Sequence, residues 1–324
     1  MTEKQTFPAA PIGSLIVGND TGAAIEAVRE MAEQYLAPRI ETIVDKHGEA
    51  VTALVTSTGQ QARIMKPEDF DPFRDRPLRR KGTAVLTSID SFIEHVNRFK
   101  DSDSVVFACD DRAAPSLTAV IDYHRSGHEA DPRFGQHRGH FAFPLSDEWK
   151  AWMKSNGSEN AMSMVEFAAF LEDRVIDVLQ LIPGEDDLNR EQQMFVDATG
   201  GAVATPSQLI SMSVSLKVNE NSSVNEVRNL SSGEGEVQFS NSHDTSIAGD
   251  IVRVPTVFII GIPVFRNGAF YRVLARLRYR KIGGSLKFWY ELWRTDRVFD
   301  HAFKEACELV RVHTELPLLL GKAE

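Results

Sequence analysis

Carboxylates and histidines gather between residues 110 and 148, and such side chains carry general acid–base and metal chemistry. Asp122 and His124 are two positions apart on a predicted strand and would share a face, because side chains alternate along a strand. His137 and His140 begin the next predicted strand. If these four side chains converge, they form a candidate metal site, and one interpretation is an enzyme, such as a metal-assisted hydrolase, centred on Asp122, His124 and His140. The whole set comprises Asp110, Asp111, Asp122, His124, His128, His137, His140 and Glu148.

Other features of the sequence favour a simpler interpretation of this cluster. Structural zinc sites usually recruit cysteine, and only Cys109 is near in sequence. The motifs GxSxG, GxGxxG, HExxH and Walker A do not occur. A solvated loop with one or two histidines hydrogen-bonded to carboxylates would explain the same residues. We therefore expect no metal and no cofactor, and we favour a protein that is not an enzyme.

A second chemically capable group lies in the segment YRVLARLRYRKIGGSLKFWYEL, residues 271–292. Eight Lys or Arg residues and no Asp or Glu occur between Ile251 and Tyr290. The chain has 36 basic and 46 acidic residues, so the rest of it carries 28 basic against 46 acidic residues, a formal charge of −18. We call that rest the acidic remainder. The cations are sharply localised.

Gly283-Gly284, between two alternating runs, indicates a two-residue hairpin turn. Such a turn pairs position 282 with 285, 280 with 287, 278 with 289 and 276 with 291. We expect Arg278 to form a cation–π pair with Trp289, and Arg276 to face Glu291. One face of the hairpin would be a core face with Ala275, Leu277, Tyr279, Phe288, Tyr290 and Leu292. The other, the cationic face, would carry Arg272, Arg276, Arg278, Arg280, Lys287 and Trp289.

Three interpretations of the cationic face remain open. It can be a solvated sheet face with some self-pairing. It can contact the acidic remainder of a second copy, because charge complementarity fixes the register of an interface. It can also bind DNA or RNA, because a basic strand face with an aromatic side chain can track phosphates and stack a base. The overall pI near 5.5 counts against this last interpretation.

The elements that position these groups predict an α+β fold. We expect a mixed N-terminal half, residues 1–200, and an antiparallel β-rich C-terminal half, residues 201–324, closed by a long helix that begins at Thr295. The two halves can also form one continuous domain. Ser163 and Glu166 predict a capped helix that continues to Ile182, and SMSVSLKV, residues 211–218, alternates and predicts a strand. The polar segment 222–246 reads as a meander or a hairpin arm.

Composition places the chain among soluble globular proteins, with 42% hydrophobic and 25% charged residues. The most apolar run, residues 254–265, has 12 residues and two prolines, too few for a membrane-spanning helix. No signal peptide is recognisable at the N-terminus, and the two cysteines show no CxxC spacing. We expect a cytoplasmic protein that does not contact a membrane.

Four sequence blocks are similar to a known family. TSIDSFIEHVNRFKD, AVIDYHR, HRGHFAFPLSDEW and VEFAAFLEDRVIDV resemble blocks of the YfdQ-like proteins of bacteriophages and prophages, and the similarity covers most of the chain from about residue 80. The resemblance implies a phage or prophage gene expressed in the bacterial cytoplasm. It favours a DNA-related role, because genes of this family often lie among early and recombination-type genes. It carries over no catalytic residue. We therefore favour a non-enzymatic phage accessory protein, acting as a homo-oligomer or a nucleic-acid-associated module through its cationic face.

Overall fold

The structure is a computed structural model that describes residues 21–36, 38–44, 50–55, 62–127, 132–182, 186–199, 202–219, 223–229, 235–240, 251–282 and 285–323. The chain divides into two compact units, residues 1–80 and 81–324. The predicted boundary near residue 200 lies inside the second unit. There, one sheet takes strands from both sides of that boundary.

The first unit contains one helix and a small antiparallel sheet. Helix α1 (Thr21–Leu36) precedes the strands β1 (Arg39–Val44), β2 (Ala50–Val55) and β3 (Ala62–Ile64), which pair in the order β1–β2–β3. A 3-10 helix, Pro67–Phe73, follows. Pro67 stands at its first turn, where a missing backbone N–H costs no hydrogen bond.

The second unit contains the remaining helices and strands of the described chain. In chain order they are β4 (Gly82–Leu86), α2 (Ile89–Phe99), β5 (Val105–Cys109), β6 (Ser116–Val120), β7 (His137–Ala142), α3 (Asp147–Lys154), β8 (Met162–Ser163), α4 (Met164–Arg174), α5 (Arg190–Thr199), β9 (Val203–Ala204), α6 (Pro206–Val218), β10 (Ser223–Asn229), β11 (Gly235–Ser240), β12 (Ile251–Val254), β13 (Val257–Pro263), β14 (Phe270–Ile282), β15 (Ser285–Leu292), α7 (Thr295–Thr314) and β16 (Leu318–Leu320). The predicted α+β class is confirmed, and α7 follows the strands of the C-terminal half as expected.

A first five-stranded sheet has the order β16–β5–β6–β7–β4. Its buried face carries Val106, Leu117 and Phe141, in one core cluster with Phe92 and Val96 of α2. The N-cap of α2 is Ser88, whose side chain accepts a hydrogen bond from the backbone N–H of Ser91. This cap satisfies one of the free N–H groups at the helix start.

A second five-stranded sheet has the order β8–β15–β14–β13–β9 and carries the hairpin. Helices α3 and α4 pack on its inner face through aromatic side chains. Phe167 of α4 stacks on Phe288 with ring centroids 5.4 Å apart, and Trp152 of α3 meets Tyr290 edge-on at 5.0 Å. The Tyr290 hydroxyl donates to the Trp152 backbone carbonyl at 2.7 Å. The aromatic rings thereby fix the inner face of the sheet against the helices.

The helix predicted from Ser163 to Ile182 is shorter than expected. Its capping box is confirmed, because Ser163 and Glu166 bond each other's backbone N–H groups. However, α4 ends at Arg174 and a 3-10 turn follows. Val178 then forms a β-bridge with Ile260, so this residue is buried against a strand rather than on a helix face. The sequence Pro183-Gly184 lies outside the described residues.

The strand predicted over residues 211–218 is wrong, because these residues belong to α6. Thr205 and Gln208 form a capping box, and Pro206 occupies the first turn. The buried positions are Leu209, Met212, Ser213 and Leu216, spaced as one helical face. Alternation over eight residues also fits part of a helical stripe, and the cap upstream decides between the two.

The polar segment after α6 contributes a hairpin to a three-stranded sheet with the order β10–β11–β12. Gly235 of β11 lies so close to Tyr279 that a Cβ atom there would come within 3 Å of the phenol ring. This contact places the small sheet near the tip of the β14–β15 hairpin. Within the described part of the chain, no helix is both long and apolar enough to span a bilayer.

Candidate functional site

The β14–β15 hairpin has the register that the sequence predicts. Arg276 pairs with Glu291, Arg278 with Trp289 and Arg280 with Lys287, and Ile282 pairs with Ser285. The expected turn residues Gly283 and Gly284 lie outside the described residues. Because this register is fixed, the side chains sort onto two faces as predicted.

The core face of the hairpin is buried as expected. Ala275, Phe288 and Tyr290 are fully buried, Leu277 is nearly so, and Tyr279 packs at the edge of the same cluster. The opposite, outer face carries the predicted cations. It is divided into a covered part and an open part.

The covered part of the outer face lies under α5 and the segment that precedes it. Val257, Ile259 and Leu274 form a small second core here with Val196 of α5. Leu179 approaches the outer face so closely that a Cβ atom on Gly261 would lie 2.8 Å from its Cδ2 atom. Helix α5 and the segment before it therefore bury the apolar side chains of the outer face, and Arg276, Arg278 and Arg280 lie beyond this covered part.

Arg272 belongs to the covered end of the face, separate from the other cations. Its guanidinium donates to the Asp186 carboxylate, and this ion pair joins residues 86 positions apart. Leu274 lies between Arg272 and the arginines further along β14. The ion pair of Arg272 therefore connects the segment that precedes α5, and that covers this part of the face, to strand β14. The four remaining cations, Arg276, Arg278, Arg280 and Lys287, are called the basic strip below.

The contacts of the basic strip are diagonal ones. The guanidinium carbon of Arg280 lies 5.9 Å from the centroid of the Trp289 ring. Arg278, which is directly opposite Trp289, does not form this contact, so the predicted Arg278–Trp289 cation–π pair is wrong. Arg278 instead lies 3.5 Å from Glu291, the residue expected to face Arg276. The twist of neighbouring strands brings diagonal neighbours of long side chains within reach, which explains both shifts.

The basic strip carries an excess of like charge. Arg280 lies directly opposite Lys287, and like charges in that position destabilise a sheet. Burial and the neighbouring Arg278 lower the pKa of Arg276, and Glu291 opposes this shift. Among the described residues, Glu291 is the one carboxylate in an ion pair with the strip. The Nε atoms of Arg276 and Arg278 are buried and make no hydrogen bond, although Nε of Arg278 lies 3.5 Å from Oε2 of Glu291.

The Asp/His cluster is arranged differently from the expected metal site. Strand β6 ends at Val120, so Asp122 and His124 lie in the following loop rather than on a shared strand face. The Asp122 carboxylate accepts hydrogen bonds from the backbone N–H groups of Gln136 and His137 at 3.1 and 2.8 Å. His124 Nδ1 accepts from the backbone N–H of Arg133 at 3.1 Å. Both side chains hold the loop together.

His137 and His140 lie on opposite faces of the first five-stranded sheet. His137 packs edge-on against Phe99 and His95 of α2, with ring centroids 5.1 and 6.0 Å apart. His140 Nδ1 lies 3.0 Å from the Thr118 hydroxyl of the neighbouring strand. Residues three apart on a strand point to opposite sides, so His137 and His140 cannot bind the same metal ion. In the described ranges, no group of three or more His, Cys, Asp or Glu side chains is arranged to hold a metal ion.

The guanidinium groups and the Lys287 ammonium group of the basic strip can bind anions. The backbone positions of residues two apart on a strand are separated by about 6.7 Å, so Arg276, Arg278 and Arg280 start from evenly spaced points along β14. Sequence reasoning missed the Arg272–Asp186 ion pair, because nothing in a single sequence links residues so far apart.

No curated protein and no solved structure matches this chain. A family match does exist, and it extends from residue 27 to residue 323, which is nearly the whole chain. The protein therefore belongs to the family described as uncharacterized conserved protein DUF2303.

Proposed function

We propose that this protein binds the backbone of nucleic acid through the basic strip. The observation that carries the proposal is the excess of positive charge at the strip: Arg280 directly opposes Lys287 and Arg276 neighbours Arg278. Among the described residues, the carboxylates that offset the four cations are Glu291, paired with Arg278, and Glu166, which interacts with Lys287. An ordinary solvated sheet face alternates charges, because opposite-charge pairs across strands stabilise and like-charge pairs do not. A chain of phosphates supplies the missing negative charge.

The geometry supports an extended strand as the ligand. The basic strip follows the direction of β14, so three guanidinium groups meet a linear array of phosphates in turn. Trp289 lies beside them and is partly exposed, and aromatic side chains next to basic grooves stack bases without sequence preference. The acidic remainder confines such a ligand to the strip, since it repels phosphate elsewhere on the surface. The resemblance to YfdQ-like proteins supports a DNA-related accessory role in a phage or prophage, exercised in the bacterial cytoplasm.

Self-association is the second candidate, and the charge asymmetry of the chain favours it. A strip of four cations and an acidic remainder of formal charge −18 would attract each other between copies. Light scattering at low and high salt separates the candidates. An oligomer held by the strip dissociates at high salt, whereas nucleic-acid binding leaves the free protein in one state at both concentrations.

The decisive test compares two triple variants with the same change of charge. The first, Arg276→Gln/Arg278→Gln/Arg280→Gln, removes most of the basic strip. The control, Arg112→Gln/Lys304→Gln/Arg311→Gln, removes three exposed cations of the same unit, two of which pair with Asp300 and Glu308. Fluorescence anisotropy with a labelled single-stranded 20-mer and its duplex reports the affinity.

We expect the first variant to lose at least about tenfold in affinity and the control to lose less than about threefold, since phosphate contacts rather than net charge carry the binding. Circular dichroism and thermal melting must show both variants folded. If the two variants lose affinity equally, binding follows net charge and the basic strip is not the site. If the wild-type protein binds neither oligonucleotide at low salt, the proposal is wrong.

A further inference from the structure

A cavity of about 760 Å³ lies in the second unit, away from the basic strip. It opens between the β4–α2 connection, the end of β7, the turn that follows β13 and the middle of α7. Sites for small molecules in proteins have volumes of about 300–1,000 Å³ and walls that are mostly apolar. The cavity, called the α7 pocket below, falls within this range.

The walls of the α7 pocket are built from packed aromatic rings. The rings of Phe141 and Phe143 are 4.9 Å apart, and those of Phe143 and Phe265 are 4.7 Å apart. All three rings are buried, so they form a rigid wall that the core of the unit supports. Such a wall keeps its shape without a ligand, which lowers the cost of binding one.

Helix α7 leaves the space open because it presents alanines to the rings. Ala302 and Ala306 are one helical turn apart and both line the pocket. A larger side chain at either position would project into the cavity. At the mouth, Leu309 is 40% exposed and Val85 is 71% exposed, so apolar surface continues outward from the cavity.

The polar groups of the α7 pocket gather at its rim. The Tyr271 hydroxyl donates to Oε2 of Glu305, and burial together with this bond raises the pKa of Tyr271. Tyr271 therefore stays a neutral donor. The Nδ1 atom of His301 lies 3.9 Å from the same Oε2 atom, so among the described residues both contacts of Glu305 are made through Oε2 and none through Oε1. Asp90, in the first turn of α2, adds a second carboxylate to the lining.

The charge balance of the rim is negative. Arg266 is the one cation among the described lining residues, and its Nη2 atom lies 3.8 Å from Asp147, outside the pocket. A carboxylate ligand would meet Asp90 and Glu305, and like charges at close range disfavour binding. A cationic or N–H donor group would meet Oε1 of Glu305 instead. Hydrogen bonds of this kind, in which one partner is charged, are stronger than those between neutral groups.

We propose that the α7 pocket binds a small molecule with an aromatic or aliphatic body and an amine or other N–H donor group that contacts Glu305. The apolar body packs on the phenylalanine wall and the alanines of α7. This inference is independent of the nucleic-acid proposal, because the two sites share no residue and the tests use different variants.

The test uses N-phenyl-1-naphthylamine, a neutral probe whose fluorescence rises in apolar sites, and two competitors of equal chain length. We expect the probe to bind, and octylammonium to displace it at a concentration at least about tenfold lower than octanoate, as a charge-assisted bond to Glu305 predicts. The variant Glu305→Gln should reduce this preference to about threefold or less, since only the formal charge is lost. The control Glu308→Gln, one turn of α7 away and paired with Arg311, should keep the preference of the wild type.

A second variant tests the location of the probe. Ala306→Phe fills the cavity from α7, and probe binding should be lost while the thermal melt still shows a folded protein; if this variant does not fold, Ala306→Leu replaces it. Binding of the probe that survives the filling variant in folded protein would overturn the proposal. Equal displacement by octylammonium and octanoate in the wild type would also overturn it.

Discussion

The dependence of affinity on salt concentration reports how many cations of the basic strip contact phosphate. Binding of a single strand releases about 0.7 counterion per phosphate neutralised, so the logarithm of affinity falls linearly with the logarithm of salt concentration. If Arg276, Arg278, Arg280 and Lys287 each neutralise one phosphate, the expected slope is about −2.8. Affinity should then fall about 50-fold between 50 and 200 mM salt.

The triple variant Arg276→Gln/Arg278→Gln/Arg280→Gln keeps Lys287 alone, so its slope should shrink to about −0.7 and its affinity should fall about threefold over the same range. Anisotropy titrations at five salt concentrations give both slopes. The control triple variant on Arg112, Lys304 and Arg311 should keep the wild-type slope. A wild-type slope near zero, or an unchanged slope in the first variant, would refute the assignment of phosphate contacts to the strip.

Three further predictions test the fold that positions the strip. Tyr290→Phe removes a buried hydroxyl that donates to the Trp152 carbonyl, and urea denaturation should show a loss of about 1–3 kcal/mol in the free energy of unfolding. Gly261→Ala brings a Cβ atom against Leu179 and should cost about 1–3 kcal/mol; a double-mutant cycle with Leu179→Ala should recover most of this loss, and additive effects would contradict the packing. Burial raises the pKa of Asp177, which accepts a hydrogen bond from the Trp152 indole. The native state therefore holds the Asp177 proton more tightly than the unfolded chain, and stability falls as pH rises from about 3.9 through the native pKa. Asp177→Asn should be more stable than the wild type at neutral pH, and the difference should vanish at lower pH; an equal difference at both would contradict this account.

The hairpin could be predicted from sequence because its determinants are local. Alternation over residues 271–292 fixes the two faces, and twin glycines fix the register, so every cross-strand pair follows. The position of all four cations of the basic strip on one face follows directly from this register. Which charge meets which partner was less predictable, because strand twist selects diagonal neighbours such as Arg280 and Trp289.

Features that depend on distant residues could not be predicted in this way. The pairing of Arg272 with Asp186 needs the course of the segment that covers the sheet. The Asp122–His124 pair lost its shared face because β6 ends at Val120, and strand ends are poorly marked by composition. The α7 pocket is assembled from four separate segments, and its alanines are ordinary residues in a helical sequence.

The division of the outer sheet face connects the fold with the proposed function. A sheet face that no helix covers needs side chains that cover the backbone and present a polar group to water. The apolar stem of arginine covers the backbone, and its guanidinium group remains hydrated. That requirement accounts for charged residues beyond the cover of α5, but not for the excess of four cations over one acidic residue, Glu291, on the described strands of the hairpin. Glutamate and arginine in alternation would shelter the sheet equally well and would attract each other across the strands. Arg280 opposite Lys287 is the arrangement that a purely solvated face has reason to avoid, so an anionic ligand is the simplest physical account of it.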